Sequence, residues 1–344
     1  IHSYCPELAE YIKRLLDEAE DPISLLFEPV SESSLQIFEK SRHEDLPAFK
    51  SQNEAVKWYL KGLNESGLCL MDNLKRHPNP LTQLRLFNFF CIFHLVRYMA
   101  LLEAFYCGEN IRPVLLDFSG IAPSQSSVAR ASEMAYTQMH KSINRFYAWG
   151  YAQKLKEKDY SKEDLLQSET PVYDEKKKAS VEFSTLWNLA KERASACATD
   201  DAARLVFGET MYDMLALEAS SHPVNCLKIL GTSAGMLYPP DQMHPNKRFV
   251  LSQDILEMIL RSTVSPDEVL SGNDMRNRLW ERFGIIIGGS TYEIEKLQSS
   301  GMLLQIDEDS LERNFTSFAA LLESMDFAEV MADGILQIRL GGSD

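Results

Sequence analysis

Apolar positions recur at helical spacing along most of this chain. Leu8, Tyr11, Ile12, Leu15 and Leu16 keep the i, i+3/i+4 spacing of one buried helix face. Asp21-Pro22 stops that run, because a residue before proline is pushed out of the helical region. Ser31 to Glu39 reads as a further short helix. Asn53 is placed to cap a helix running to Leu63, with Gly67 beyond its end. His77-Pro78-Asn79-Pro80 breaks the pattern, and Leu81 opens a long apolar helix that ends near Cys107-Gly108. Val114 to Phe118 is the one strand expected in this half, followed by a Ser/Pro/Gly loop from Gly120 to Ser127. Val128, Ala131, Ala135, Met139, Ile143, Phe146 and Tyr147 then mark a helix from Ser127 to Lys158, with Gly150 as a candidate kink.

From Tyr151 to Lys178 the pattern gives way to lysines, acids and Thr170-Pro171, including the run Lys176, Lys177, Lys178. The composition predicts an exposed connector. Helical spacing returns over Val181 to Ala198, over Ala202 to Ser220 behind Asp200-Asp201, and from His222-Pro223 to Gly231. Gly235, Pro239, Pro240 and Pro245 make the stretch from Gly231 to Lys247 a loop and the preferred domain boundary. The expected organisation is a helical domain over residues 1–150, a lysine-rich connector with a second helical region over 151–245, and a separate module over 246–344.

That last module carries the clearest punctuation. Ser252 caps Asp254 to Arg261, and Ser265-Pro266-Asp267-Glu268 has the form of a helix start. Met275 to Phe283 follows, then the apolar turn Gly284 to Gly289, a helix capped by Ser290 or Thr291 and ending at Ser299, a strand over Met302 to Ile306, a helix over Leu311 to Leu322, and a closing strand over Ile335 to Leu340. This order resembles a winged helix, a scaffold often used on DNA. The resemblance puts the Ser290–Ser299 helix in the recognition position. The fold class expected overall is mostly α: a multi-helical N-terminal region and a C-terminal winged-helix-like domain with a small β wing.

Charge changes that picture. The chain of 344 residues carries a formal net charge of −15, which on average repels phosphate backbones and anionic lipid. From Asn246 to Asp344 there are nine Lys and Arg against seventeen Asp and Glu. A DNA-reading helix needs donors for base edges and cations for phosphate. The Ser290–Ser299 helix offers Glu293, Glu295 and Lys296. Arg276, Arg278 and Arg282 form the module's one cationic stripe. Such a stripe is most often a solvated helix face, and its sharper readings are contact with nucleic acid or with an acidic protein.

The remaining composition narrows the classes further. Hydrophobic residues make up 45% and charged residues 25%, so a packed core is available. The six cysteines, Cys5, Cys69, Cys91, Cys107, Cys197 and Cys226, are scattered, which suits a reducing compartment and buried thiols. No secretory leader pattern is visible in the residues given, and the opening Ile1 suggests a processed or truncated N-terminus. Arg85, His94, Arg97 and Glu103 interrupt the apolar stretch from Leu84 to Cys107. Its longest uncharged run is too short for a span of about 20 residues, so a core helix of a cytoplasmic protein is expected, with no membrane contact.

Several motifs touch on chemistry, each with a plainer alternative. Gly231-Thr232-Ser233-Ala234-Gly235 matches the hydrolase pattern G-x-S-x-G, but Pro239-Pro240 forbids the long helix that must follow the serine. Cys69, His77, Cys91 and His94 include a usable zinc pair at Cys91-x-x-His94, yet that pair lies in the most apolar helix, where core packing is the commoner role. Asp117 with Glu175-x-Lys177 has the composition of a metal nuclease without its strands. Tyr136, Phe146, Tyr147, Trp149 and Tyr151, near Lys141, Arg145 and Lys154, have the mix that stacks single-stranded bases, at a spacing more typical of a core or a partner groove. No phosphate-binding glycine loop is present.

The tail of Asn314, Phe318, Leu321-Leu322, Phe327 and Asp333-Gly334, with its closing strand, resembles the C-termini of accessory proteins from bacterial anti-phage and restriction operons. That resemblance implies a helper to an ATPase or nuclease complex, and carries over no functional residue. The function expected is therefore a non-catalytic adaptor or scaffold subunit of a multiprotein complex, in a bacterial defence or restriction assembly. It has no cofactor, no metal and no catalytic residue. The alternative is a nucleic-acid-binding module, with Arg276, Arg278, Arg282, Lys176, Lys177 and Lys178 as the candidate contacts in either case.

Overall fold

The computed structural model describes residues 53–108, 110–171, 181–218, 223–242, 244–288, 291–300, 306, 308–332 and 334–340. The expected helices before Asn53, the Lys176–Lys178 run and most of the expected Met302–Ile306 strand lie outside these residues. Among the described residues the chain is mostly helical, with eleven helices and seven short strands. It divides into two compact units that interleave in sequence. One takes its residues from 1–101, 110–138 and 228–344, the other from 102–109 and 139–227.

The first unit begins with α1 (Glu54–Lys75) and α2 (Pro80–Cys107). Asn53 caps α1 as its position predicts, accepting from the Ala55 N–H. The helix runs through Gly62 and Gly67 instead of stopping near Leu63. Packing outweighs glycine's poor helix propensity here. A Cβ at Gly62 would collide with the Arg282 carbonyl oxygen on α9 (Gly272–Phe283), so the two backbones touch where only glycine fits. Gly62→Ala is expected to force α1 off α9 and cost about 1–3 kcal/mol of stability, read from denaturant midpoints. Among the described residues α2 is the one helix long and apolar enough to cross a bilayer by length and composition, yet 72% of its apolar window is buried within the molecule.

Two small strand pairs and one sheet complete this unit. β1 (Val114–Leu115) pairs in parallel with β5 (Ile285–Ile286), and β2 (Leu237–Tyr238) pairs antiparallel with β3 (Arg248–Phe249). The expected strand thus shrinks to two residues. The apolar turn after Gly284 supplies its buried partner. α8 (Gln253–Arg261) is capped by Ser252, as expected. The helix expected after Ser265-Pro266 does not form. Glu268 takes the Ser265 N–H, Asp267 adopts a positive φ of 63°, and the chain becomes β4 (Val269–Ser271). β4 lies beside β7 (Leu336–Arg339), which also pairs with β6 (Ala328–Val330), giving a three-stranded antiparallel sheet of order β4-β7-β6. Leu270, Ile338 and Leu336 face the core. Val269, Gln337 and Arg339 lie on the other face, the period-2 alternation of a sheet covered on one side. α10 (Thr291–Ser299) and α11 (Glu308–Ser324) lie between β5 and β6 in sequence.

The second unit is helical. α3 (Ser127–Glu157) enters it from the first unit and continues unbroken through Gly150. Part of the expected connector is folded. Ser161 and Asp164 form a reciprocal capping box on α4 (Lys162–Gln167), and Leu165 is buried. Lys162 donates to the Ser195 and Cys197 carbonyls at the end of α5 (Val181–Ser195), satisfying acceptors that a helix end leaves open. α5 and α6 (Asp200–Glu218) close around Phe183, Trp187, Ala190, Phe207 and Met214. Gly208 lies against the Ala148 carbonyl, so α6 meets α3 as closely as α1 meets α9. α7 (Pro223–Ser233) follows.

Candidate functional site

The three arginines of the C-terminal stripe lie on α9, and two of them turn inward. Arg282 donates to the carbonyls of Ser262 and Thr263, which follow the last turn of α8, and lies 3.7 Å from Glu65 of α1. Arg278 also reaches the Thr263 carbonyl and clasps Glu268 in a two-pronged pair at 2.8 and 2.5 Å. These hydrogen bonds hold the Glu268 carboxyl down to about 2 against a desolvation effect that raises it. Arg276 bonds Asn273 and stacks over the Phe315 ring at 4.9 Å. The guanidinium groups of Arg278 and Arg282 therefore satisfy open carbonyls at the end of α8 and a neighbouring acid. Asn73 performs the same service from α1, donating to the carbonyls of Arg261 and Val264. Lys296, the one cation of α10, lies over Trp280 at 4.4 Å and Tyr292 at 3.8 Å.

The helix that directly precedes the β6–β7 hairpin is α11. Its exposed residues are Glu308, Asp309, Glu312, Arg313, Thr316, Ala320, Glu323 and Ser324. Four carboxylates stand against one guanidinium, and Arg313 donates to Ser310. Its inner face is fixed by Leu311, Phe318 and Leu322, and by Asn314, which is 1% exposed. The Asn314 side chain donates to the Leu116 and Ile287 carbonyls and accepts from the Phe118 N–H, joining α11 to the chain on both sides of the β1–β5 pair.

The hairpin itself is apolar at its tip. Met331 and Ile335, 39% and 51% exposed, lie opposite each other across a turn closed by the Met331 N–H to Ile335 carbonyl bond, and Val330, 45% exposed, lies opposite Leu336 on the other face of the hairpin. Glu323 accepts from the Val330 N–H, which blunts the β6 edge against further strand pairing. Glu329 lies 3.9 Å from Arg339.

Beside α11 a cleft of about 370 Å³ opens between the 119–128 segment and residues 310–317. Ser119, Ser126, Ser127, Thr316, Gln125 and Arg313 contribute polar groups. Ser126 caps α3 by accepting from Ala129, and the buried Ser127 hydroxyl has no partner. Below Ser119, Asp117 is 1% exposed. It accepts from the Ser119 N–H and hydroxyl and lies 3.0 Å from Arg248. Arg248 directs the same nitrogen at the Ile121 carbonyl, so its contact with Asp117 is an ion pair without an aligned hydrogen bond. No His, Lys, Asp or Glu lines the cleft, and the carboxylate that reaches one of its serines is Asp117, through the Ser119 hydroxyl.

The other sequence candidates fall in separate places. Gly231 and Ser233 lie in the last turn of α7, and Ser233 accepts from Gln242; no strand leads into that serine. His94 is enclosed by Tyr59, Phe90, Phe93 and Phe283, with its Nε2 3.4 Å from the Ser66 hydroxyl and its Nδ1 unpartnered. Burial lowers it to about 3. Burial also pushes the Cys91 thiol up to about 12. Among the described residues no three His, Cys, Asp or Glu side chains gather as metal ligands. Arg97, on α2, and the Trp58 ring both pack against Gly284, and Arg97 donates to the Arg112 carbonyl. Tyr136 packs on Phe249 in the first unit. In the second, Phe146 and Trp149 stack near Tyr106, and Tyr147 lies flat against Tyr212. Glu175, Lys176, Lys177 and Lys178 lie outside the described residues.

No protein-family model, no curated protein and no solved structure matches the chain.

Proposed function

We propose that this protein is a non-catalytic interaction subunit of a larger assembly, and that its C-terminal module is a winged-helix-like domain that docks protein. The strand order β4-β7-β6, with α8 before the first strand and α9 and α11 before the hairpin, supports the winged-helix comparison. In that comparison α11 takes the recognition position, ahead of the wing, in place of α10.

The observation that carries the reading is the exposed face of α11, with Glu308, Asp309, Glu312 and Glu323 against Arg313 alone. A helix facing a phosphate backbone at close range gains by releasing counterions from cations. Carboxylates there repel instead. The stripe that would have compensated is occupied, since Arg278 and Arg282 hold the end of α8. A winged helix is a shaped surface, and its partner is set by the groups it presents. The resemblance of the tail to defence-operon accessory proteins suits the same role, beside an ATPase or nuclease.

Size-exclusion chromatography of the protein from its native source tests the assignment. The expected result is elution in a stoichiometric complex with a second protein. Elution as a lone chain at all concentrations contradicts it.

A further inference from the structure

We infer that the cleft beside α11 is a binding site for a small phosphate monoester, with the phosphoryl group seated at the start of α3 and met by Arg313. This site is separate from the docking face, because Glu308, Asp309, Glu312 and Glu323 are not among its lining residues. The lining offers hydrogen-bond donors and one fixed positive charge, with no carboxylate. Some of its hydroxyls are already spent. Ser119 donates to Asp117, Thr316 to the Glu312 carbonyl and Ser317 to the Arg313 carbonyl. Those of Ser126 and Ser127 are not. Ser126 Oγ accepts from the Ala129 N–H, which leaves its own hydrogen to give. Ser127 Oγ is buried with no partner in the fold, a state that native structures seldom leave unanswered. The Ser127 and Val128 N–H groups open α3 and have no intrahelical partner. Arg313 gives one nitrogen to Ser310 and keeps its remaining N–H groups for a ligand.

The charge pattern selects an anion. α3 is 31 residues long and has no acid in its first turn, so the positive end of its dipole faces the cleft uncompensated. Asp117, buried below Ser119, is neutralised by Arg248 at 3.0 Å. The chain's net charge of −15 acts on average and over distance, and salt screens it within about 8 Å at physiological strength, so the local donors prevail inside the cleft. Among anions, a carboxylate has two oxygens and is met by a single two-pronged arginine. A phosphoryl group has three oxygens and takes donors from several directions. The helix amides, the two serine hydroxyls and the Gln125 amide on one side, with Arg313 on the other, supply them. At about 370 Å³ the cleft has more room than a bare phosphate fills and falls at the small end of ligand sites. Ile121 and Val128 give apolar surface for the carbon body of an ester.

Titration calorimetry of the full chain, with glycerol 3-phosphate, inorganic phosphate and glycerol as probes, tests the site. Glycerol 3-phosphate is expected to bind, and to bind more tightly than inorganic phosphate; glycerol is expected not to bind. Arg313→Gln, at an exposed side chain, should weaken glycerol 3-phosphate by about tenfold or more, as for loss of a charged hydrogen bond. Ser127→Ala should weaken it by about fivefold, as for a neutral one. The same variant should unfold at a temperature no lower than the unmodified chain, because the hydroxyl it deletes has no partner in the fold, so lost binding and lost folding are read apart. Arg339→Gln, on β7 and outside the lining, should bind as the unmodified chain does. The inference is overturned if glycerol 3-phosphate does not bind, binds no more tightly than inorganic phosphate, or binds Arg313→Gln and Ser127→Ala unchanged. An equal loss in Arg339→Gln also overturns it, since the attraction would then be one of surface charge alone.

Discussion

Replacing Asn314 with alanine is expected to lower the unfolding free energy by about 3 kcal/mol, at the upper end for a single polar side chain, because it leaves three buried backbone groups unmet at once. The Leu116 and Ile287 carbonyls lose their donor, and the Phe118 N–H loses its acceptor. Net, a hydrogen bond contributes little, since water would otherwise satisfy both partners. A buried group stripped of its partner bears the full desolvation cost. Asn314→Asp is expected to be at least as damaging, because it keeps the acceptor for Phe118 and sets a carboxylate against two carbonyls. Urea unfolding followed by circular dichroism reads both. A loss near 0.5 kcal/mol, the size expected for an ordinary surface change, would mean that the asparagine does not join α11 to the β1–β5 pair.

Acid is expected to destabilise the first unit through His94. The imidazole titrates near 3 in the fold because burial among four aromatic rings disfavours its charged form. In the unfolded chain it titrates near its ordinary value of about 6.5. Between those values the unfolded state binds a proton that the folded state refuses. Stability is therefore full above about pH 6.5 and falls by about 1.4 kcal/mol for each unit of pH below it, reaching about 4–5 kcal/mol near pH 3. Glu268, held down to about 2 by Arg278, adds its loss only below the ordinary carboxylate range, so the interval between about pH 6.5 and 4.5 belongs to the buried histidines, and His77, which burial also lowers, adds a smaller share of the same sign. His94→Leu keeps the site apolar and should remove most of the slope in that interval. Unfolding curves taken across it decide the matter. A slope unchanged in the variant would assign the acid sensitivity elsewhere.

The long helices were legible because their causes are local. Asn53 and Ser252 cap where their positions suggest, and the apolar spacing of α2, α3 and α11 holds over several turns. What sequence reasoning missed is settled by distant partners. Val269–Ser271 is three residues long and follows a proline with acids behind it, so local rules favour a helix. Pairing with Leu336–Arg339 far along the chain makes it a strand. Ala328–Val330 is too short to carry any alternation of its own. Arg278 and Arg282 look like a surface stripe because nothing nearby in sequence reveals the open carbonyls after α8. Asn73, beyond the end expected for its helix, and Asn314 are buried ties whose partners lie far along the chain. An asparagine on the apolar face of a strong helix was the one signal that could have found them. The acidic bias of the C-terminal region was visible from the start; which helix presents it beside the hairpin was not.

The central claim is that this module faces protein, not a phosphate backbone. Titration of the full chain with single- and double-stranded DNA in about 50 mM salt tests it most directly, since any electrostatic affinity is then near its largest. The predicted result is no binding with either form. Tight binding that weakens steeply with salt, and that is lost when Arg276, Arg278 and Arg282 are replaced, would contradict it.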